Sequence, residues 1–293
     1  MTTPAPGEGG RSATTFAGPR RDSGGVAELS ALALVVRNLR LVGICVLGGI
    51  GAGAVAGLAS RVAMRISGLL AGSSPSRIVT FDGFILGTVT FRGTVFLVVS
   101  GAAVGIVGGL TYAALRDWVA PTRRWRGLVF GVVLAVAFGR LVFDRANFDF
   151  TVFGPPAVNV PLYASLYVLF GLLVAPAVTR LDQRVPRMPL GAEAGRRARW
   201  VAYGAVVAGI IALLPLAVFA VQALSGNLIQ RPSDVGPVTA LAVMLAILLV
   251  APLAARLRDR GGPATWIGYA LVAVPVSAGG FTTVREVVAI LAT

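Results

Sequence analysis

Along the chain, apolar runs of about twenty residues alternate with short arginine-bearing segments. A hydrocarbon core of about 30 Å is crossed by roughly 17–25 mostly apolar residues in a helix. Seven runs meet that measure: 41–60, 94–115, 127–143, 162–178, 200–223, 238–255 and 264–280. The third, fourth and seventh are the shortest. The seventh carries Pro275 and ends in Gly279-Gly280, so a re-entrant or partial crossing is its alternative. Beyond it, Val284, Val287, Val288 and Leu291 recur on one helical face, which predicts a short amphipathic end.

The chain upstream of the first run has another character. Residues 1–25 are Pro, Gly, Ser, Thr and Arg with little to bury, the composition of a disordered tail. No apolar run lies near Met1, so the tail does not read as a secretory signal. From 26 to 40, Leu29, Leu32, Ala33, Val36 and Leu39 fall at helical spacing, with Glu28, Ser30, Arg37 and Asn38 between them. That pattern predicts an amphipathic helix lying on an anionic leaflet ahead of the first crossing.

Between runs, residues 77–92 are β-branched and aromatic, with turn residues Asp82-Gly83 and Gly87. They predict a small extracytoplasmic β-hairpin, with a short strand ending at Gly154-Pro155-Pro156 as its neighbour. The expected fold is therefore an all-α integral membrane protein, a polytopic bundle of about seven transmembrane helices capped by that hairpin.

Composition supports insertion in a membrane. Of 293 residues, 56% are apolar and 13% charged, against roughly 25% charged in water-soluble domains. The formal charge of +14 invites a nucleic-acid reading, but its distribution answers to topology. The segments before the first run and after the second, fourth and sixth hold eighteen arginines; the alternate segments hold seven, with Arg140 inside the third run near that same side. Positive residues stay on the cytoplasmic side, so the N-terminus is expected inside and the C-terminus outside. Arginine throughout, with abundant Ala, Gly and Val, fits a GC-rich genome and hence a bacterial inner (plasma) membrane.

Missing residue types remove whole chemistries. The 26 basic residues are all arginine, and there is no histidine. Lysine Schiff bases, Walker-type phosphate loops, imidazole haem ligation and histidine zinc sites are thereby excluded. The single cysteine, Cys45, sits in an apolar run as a small hydrophobe and can form no intramolecular disulfide. None of the twelve acids is central in a run, which argues against coupled secondary transport. No cofactor is expected.

Two constellations remain. Glycine recurs at every fourth position as Gly49, Gly53 and Gly57 in the first run and as Gly101, Gly105 and Gly109 in the second. The third run continues with Gly127, Gly131 and Gly139. Spacing of four lines one face of a helix, where the missing side chain lets another backbone approach closely. Tight packing among the first three crossings is the structural expectation, with a seam between copies or a groove for a flat ligand as its functional alternative. The second constellation is charge at the outer face: Arg61, Arg65, Asp82, Arg140, Asp144, Asn147 and Asp149. Arg140 follows a long apolar stretch, with Asp144 four residues on as its expected partner and Asp149 second. The alternative for Arg140 is snorkelling to headgroups. Together these residues predict a net positive vestibule suited to an anionic lipid or other amphipathic anion. Asp144, Asn147 and Asp149 supply oxygen ligands, but the neighbouring arginines oppose a cation and no metal is expected.

Two functions follow as expectations. One is a non-enzymatic membrane component that packs with itself or with partner helices among membrane lipids, with no nucleic-acid partner. The other is binding or transport of an amphipathic anion through the outer vestibule. Beside these two stands the alternative of a lipid-modifying enzyme using Asp144 or Asp149.

Overall fold

The computed structural model describes residues 31–70, 90–116, 118, 125–143, 155–187, 195–224 and 264–292. Among these residues it is entirely helical. Its elements are α1 (Ala31–Leu70), α2 (Phe91–Leu115), α3 (Arg126–Phe138) continued by a 3-10 turn (Gly139–Leu141), α4 (Pro156–Arg184), α5 (Arg196–Leu224) and α6 (Ala264–Leu291). Among the described residues, three helices are long and apolar enough to cross a membrane: α1 from Val35, α2 and α4.

Local chemistry sets several boundaries. Thr90 is the N-cap of α2, its hydroxyl accepting from the Gly93 N–H at 3.2 Å. This is the usual way to satisfy an orphan amide in the first turn. The last residues of the segment expected to form a hairpin, Phe91 and Arg92, thus open α2. Residues 71–89, with the rest of that segment, lie outside the described residues, as do the run at 238–255 and the tail at 1–25. Pro156 stands in the first turn of α4, where its missing N–H costs nothing. Pro161 and Pro176 lie inside the same helix, a placement common in membrane helices. No break separates residues 31–40 from the first apolar run, because α1 continues through Arg40. Likewise α6 passes Pro275 and Gly279-Gly280 as one helix of 28 residues, about 42 Å at 1.5 Å per residue, and takes in the amphipathic end.

Contacts between helices fix their directions. Arg40 near the start of α1 meets Asp182 at the end of α4, and Ser67 near the end of α1 meets Asn159 at the start of α4. The two helices are antiparallel. Gly49 lies against Gly105 and Gly109, and Gly57 against Leu97 and Gly101, so α2 is antiparallel to α1 as well. Gly127 and Gly131 of α3 meet Gly171 and Val168 of α4, again antiparallel. Along α6, Gly279, Thr283 and Ile290 meet Ala137, Gly139 and Phe143 in turn, so α6 runs parallel to α3. Finally, α5 begins nine residues after Arg187, at the end of the bundle where α4 finishes, and packs on α1 through Gly43 and Gly209. One end of the bundle thus carries Arg40, Arg116, Arg126, Asp182 and Arg196. The other carries Leu70, Phe91, Phe143 and Pro156.

The interior is a stack of apolar side chains in which α1 and α4 are central. Ile44, Cys45, Tyr112, Phe130, Phe170 and Val174 form its main cluster. The Tyr112 and Phe130 rings meet edge to face at 4.9 Å, a favoured aromatic geometry. Outward, the helices remain apolar: Val99, Val104, Ile211, Phe281 and Val288 are all more than half exposed or close to it. Such a surface is at home in hydrocarbon and out of place in water.

Candidate functional site

The expected vestibule residues divide into two groups. Arg61 is half-buried on α1, Arg65 is exposed one turn further on, and Arg140 is exposed in the 3-10 turn. Asp82, Asp144, Asn147 and Asp149 lie outside the described residues, and so do the two expected partners of Arg140. α1 and α3 both pack on α4, so Arg61 and Arg140 stand on different flanks of that helix. All three arginines belong to the Asn159 end of the bundle.

The surroundings of Arg140 are unusual in one respect. Its backbone N–H, which in a continuous α-helix would bond to the Val136 carbonyl, instead donates to the hydroxyl of Thr283 on α6 at 3.1 Å. That hydroxyl donates in turn to the Val136 carbonyl at 3.0 Å. Thr283 is therefore inserted into the hydrogen-bond ladder of α3, and the helix tightens to 3-10 where the side chain enters. The last residue of α3 is served by α4, whose Tyr167 hydroxyl donates to the Phe138 carbonyl at 3.1 Å. Gly139 makes room, since a methyl there would come within 2.6 Å of the Thr283 side chain. Two neighbouring helices thus hold the backbone that presents Arg140.

Because the Thr283 hydroxyl satisfies one donor and one acceptor, its removal leaves both unpaired. Thr283→Val, which keeps the shape, is expected to cost about 1–3 kcal/mol, and Thr283→Ser to cost much less. Thermal unfolding of the detergent-solubilised variants checks the order.

A second buried polar pair lies at this end. Ser67 (1% exposed) donates to the Asn159 side-chain oxygen (0% exposed) at 2.8 Å. Asn159→Leu should destabilise by about 1–3 kcal/mol by stranding the Ser67 hydroxyl, and Ser67→Ala added to it should recover part of that loss. A double-mutant cycle in thermal stability tests this.

At the opposite end stands a group that sequence spacing did not single out. Arg40, 4% exposed, donates from Nε to the Pro186 carbonyl and from Nη1 to Asp182 Oδ1, both at 2.8 Å. Its Nη2 donates to the carbonyls of Asp182 at 3.1 Å and Val185. The guanidinium closes the C-terminus of α4, taking up carbonyls that the helix itself leaves without partners.

The glycines expected at packing faces occupy close approaches. A methyl on Gly49, Gly53 or Gly57 would overlap backbone carbonyl oxygens of Gly105, Gly101 or Leu97 respectively. From the other side, one on Gly101, Gly105 or Gly109 would overlap Gly53, Gly49 or Cys45. Gly127 and Gly131 approach α4, where Gly171 is the facing small residue. Two close approaches carry no period-four signal: Gly43 with Gly209 between α1 and α5, and Gly279 with Ala137 between α6 and α3.

Among the described residues, no group of three or more His, Cys, Asp and Glu side chains is arranged to hold a metal ion. Comparison of the chain with protein-family models, with curated proteins and with solved structures finds no match.

Proposed function

We propose that the protein is a non-enzymatic integral component of a bacterial inner membrane that packs with itself or with partner helices. In this reading it crosses seven times, with the Arg40 end cytoplasmic, the C-terminus outside and a small β-hairpin within 77–89, ahead of the cap of α2. The observation that carries the reading is the division of the surface: apolar outward faces along the helices, and guanidinium groups at the two ends. Seven crossings gain support from direction. α5 starts at the Arg40 end and α6, parallel to α3, starts there too, and in this reading the chain between them returns across the bundle. The apolar run at 238–255 is long enough to make that return as a helix, at about 27 Å. With the glycines of α1 and α2 turned toward each other, contacts between copies or with a partner fall to the outward faces.

Native mass spectrometry of the detergent-purified chain tests this reading by reporting subunit number and retained lipid or protein together. A complex containing two or more copies, or a stoichiometric partner, is expected. A strictly monomeric chain that turns over a lipid substrate would replace it.

The pinned backbone at Arg140 favours a second reading, binding of an amphipathic anion at the outer end. Under it, Arg140→Leu abolishes retention of the co-purifying anion while the fold persists. Under the first reading, the same variant assembles as before.

A further inference from the structure

We propose that the outward stripe of α5 is a binding site for one anionic glycerophospholipid of the leaflet at the Arg40 end. Successive side chains on one face of this helix follow the order of groups in such a lipid. Arg196 and Arg199 lead, both exposed. Trp200 (72% exposed) and Tyr203 follow one turn deeper, and Val207 and Ile211 (60%) come next. Residues 196, 200, 203, 207 and 211 are three or four apart and share that face, opposite the one that buries Ala205, Gly209 and Ala212 against the bundle.

Each part of the stripe suits one part of the ligand. Guanidinium groups pair with phosphate through parallel N–H donors. Amphipathic rings settle at the headgroup boundary, and the aliphatic side chains continue at acyl depth. Gly204, with nothing within 4 Å of where a Cβ would stand, leaves open space beside the rings. Charge also selects the occupant. Arg196, Arg197 and Arg199 open α5 with no acid in its first turn, and Asp182, the described acid at this end, is held by Arg40. An anionic headgroup gains from that field and a zwitterionic one gains little.

The proposal rests on membrane insertion of the bundle. A chain that stays dissolved without detergent removes that reading, whereas a detergent-requiring chain with no lipid preference removes this site alone. The test titrates the full chain in non-ionic detergent with dioleoyl phosphatidylglycerol or dioleoyl phosphatidylcholine, read by native mass spectrometry. The wild type is expected to retain phosphatidylglycerol about tenfold or more in preference. R196Q/R197Q/R199Q should lose that preference. R180Q/R184Q/R187Q, which removes the same charge from the end of α4, should keep it. Equal loss in the two triple variants, or none in the first, overturns the proposal. Trp200→Ala, with every charge in place, should weaken retention of both lipids, and unchanged retention counts against the stripe. Displacement of the lipid by soluble glycerol 1-phosphate would show a phosphate site without a lipid requirement, and would overturn the proposal too.

Discussion

Gly53→Leu is expected to prevent α1 and α2 from packing and to leave little folded protein in detergent. The first added carbon alone would overlap the Gly101 carbonyl oxygen and stand 2.8 Å from Gly105 Cα. Both obstacles are backbone, so no side chain can swing aside and the helices must separate. Separation breaks the neighbouring contacts at Gly49 and Gly57 as well, along with the weak Cα–H···O attractions that close approach permits. Overpacking commonly costs about 1–3 kcal/mol; Gly53→Ala is expected near the upper part of that range, and Gly53→Leu above it. Gly51, two residues away on the same helix, has nothing within 4 Å of where a Cβ would stand. Gly51→Ala is therefore expected to change stability by no more than about 0.5 kcal/mol. Fluorescence-detected gel filtration after a heating series compares the three variants directly. Similar midpoints for Gly53→Leu and Gly51→Ala would show that the glycine faces do not hold the pair.

Arg40→Leu is the second large effect. The substitution leaves the Asp182 carboxylate and the carbonyls of Asp182, Val185 and Pro186 without their donor at a buried helix end. Arg40 is buried but the Asp182 side chain is 29% exposed, so water relieves part of the charge left behind. The loss is expected at about 2–3 kcal/mol, below the roughly 3–5 kcal/mol of a fully buried pair. Asp182→Leu in the same chain removes that charge, so the double variant is expected to be more stable than Arg40→Leu alone. Arg40→Lys should fall between, since an ammonium cannot reproduce the fork that serves three residues at once. Unfolding midpoints of the wild type, Arg40→Leu, Asp182→Leu and the double variant form the cycle, with Arg40→Lys measured beside them. If Arg40→Leu matches the wild type, the clamp on α4 contributes nothing.

How far the sequence discloses this architecture varies with the residue. Helix existence and approximate extent are legible, because apolar runs of bilayer length leave few alternatives. The glycine triplets are legible as faces, since spacing of four is a property of one helix read alone. Their register is not, because which residue of α2 meets Gly53 depends on two helices at once. Gly43 and Gly209 have no glycine four residues away, so the pattern that marks the triplets does not mark them.

Polar residues are harder to read for a related reason. An arginine at the edge of an apolar run looks the same whether it snorkels or is buried. The partner that decides the matter for Arg40, Asp182, is 142 residues away. Thr283 is hidden more completely. Thr111 and Thr179 donate to carbonyls four residues back in their own helices, the ordinary habit of a helical threonine. Thr283 uses the same hydroxyl on α3, and nothing in its local sequence separates the two behaviours. Of the vestibule, the structure places Arg61, Arg65 and Arg140 at one end of the bundle, while its acids fall outside the described residues.

Sidedness puts the account to its most direct trial. Cys45 is the single cysteine, so a Cys45→Ala background allows one thiol to be placed at will. Ser23→Cys and Thr293→Cys in that background, treated in intact cells with a membrane-impermeant maleimide, report the two ends of the chain. Labelling at 293 and protection at 23 until the cells are lysed is the expected result. Labelling of both positions in intact cells, or protection of both, would contradict an odd number of crossings with the arginine-rich end in the cytoplasm.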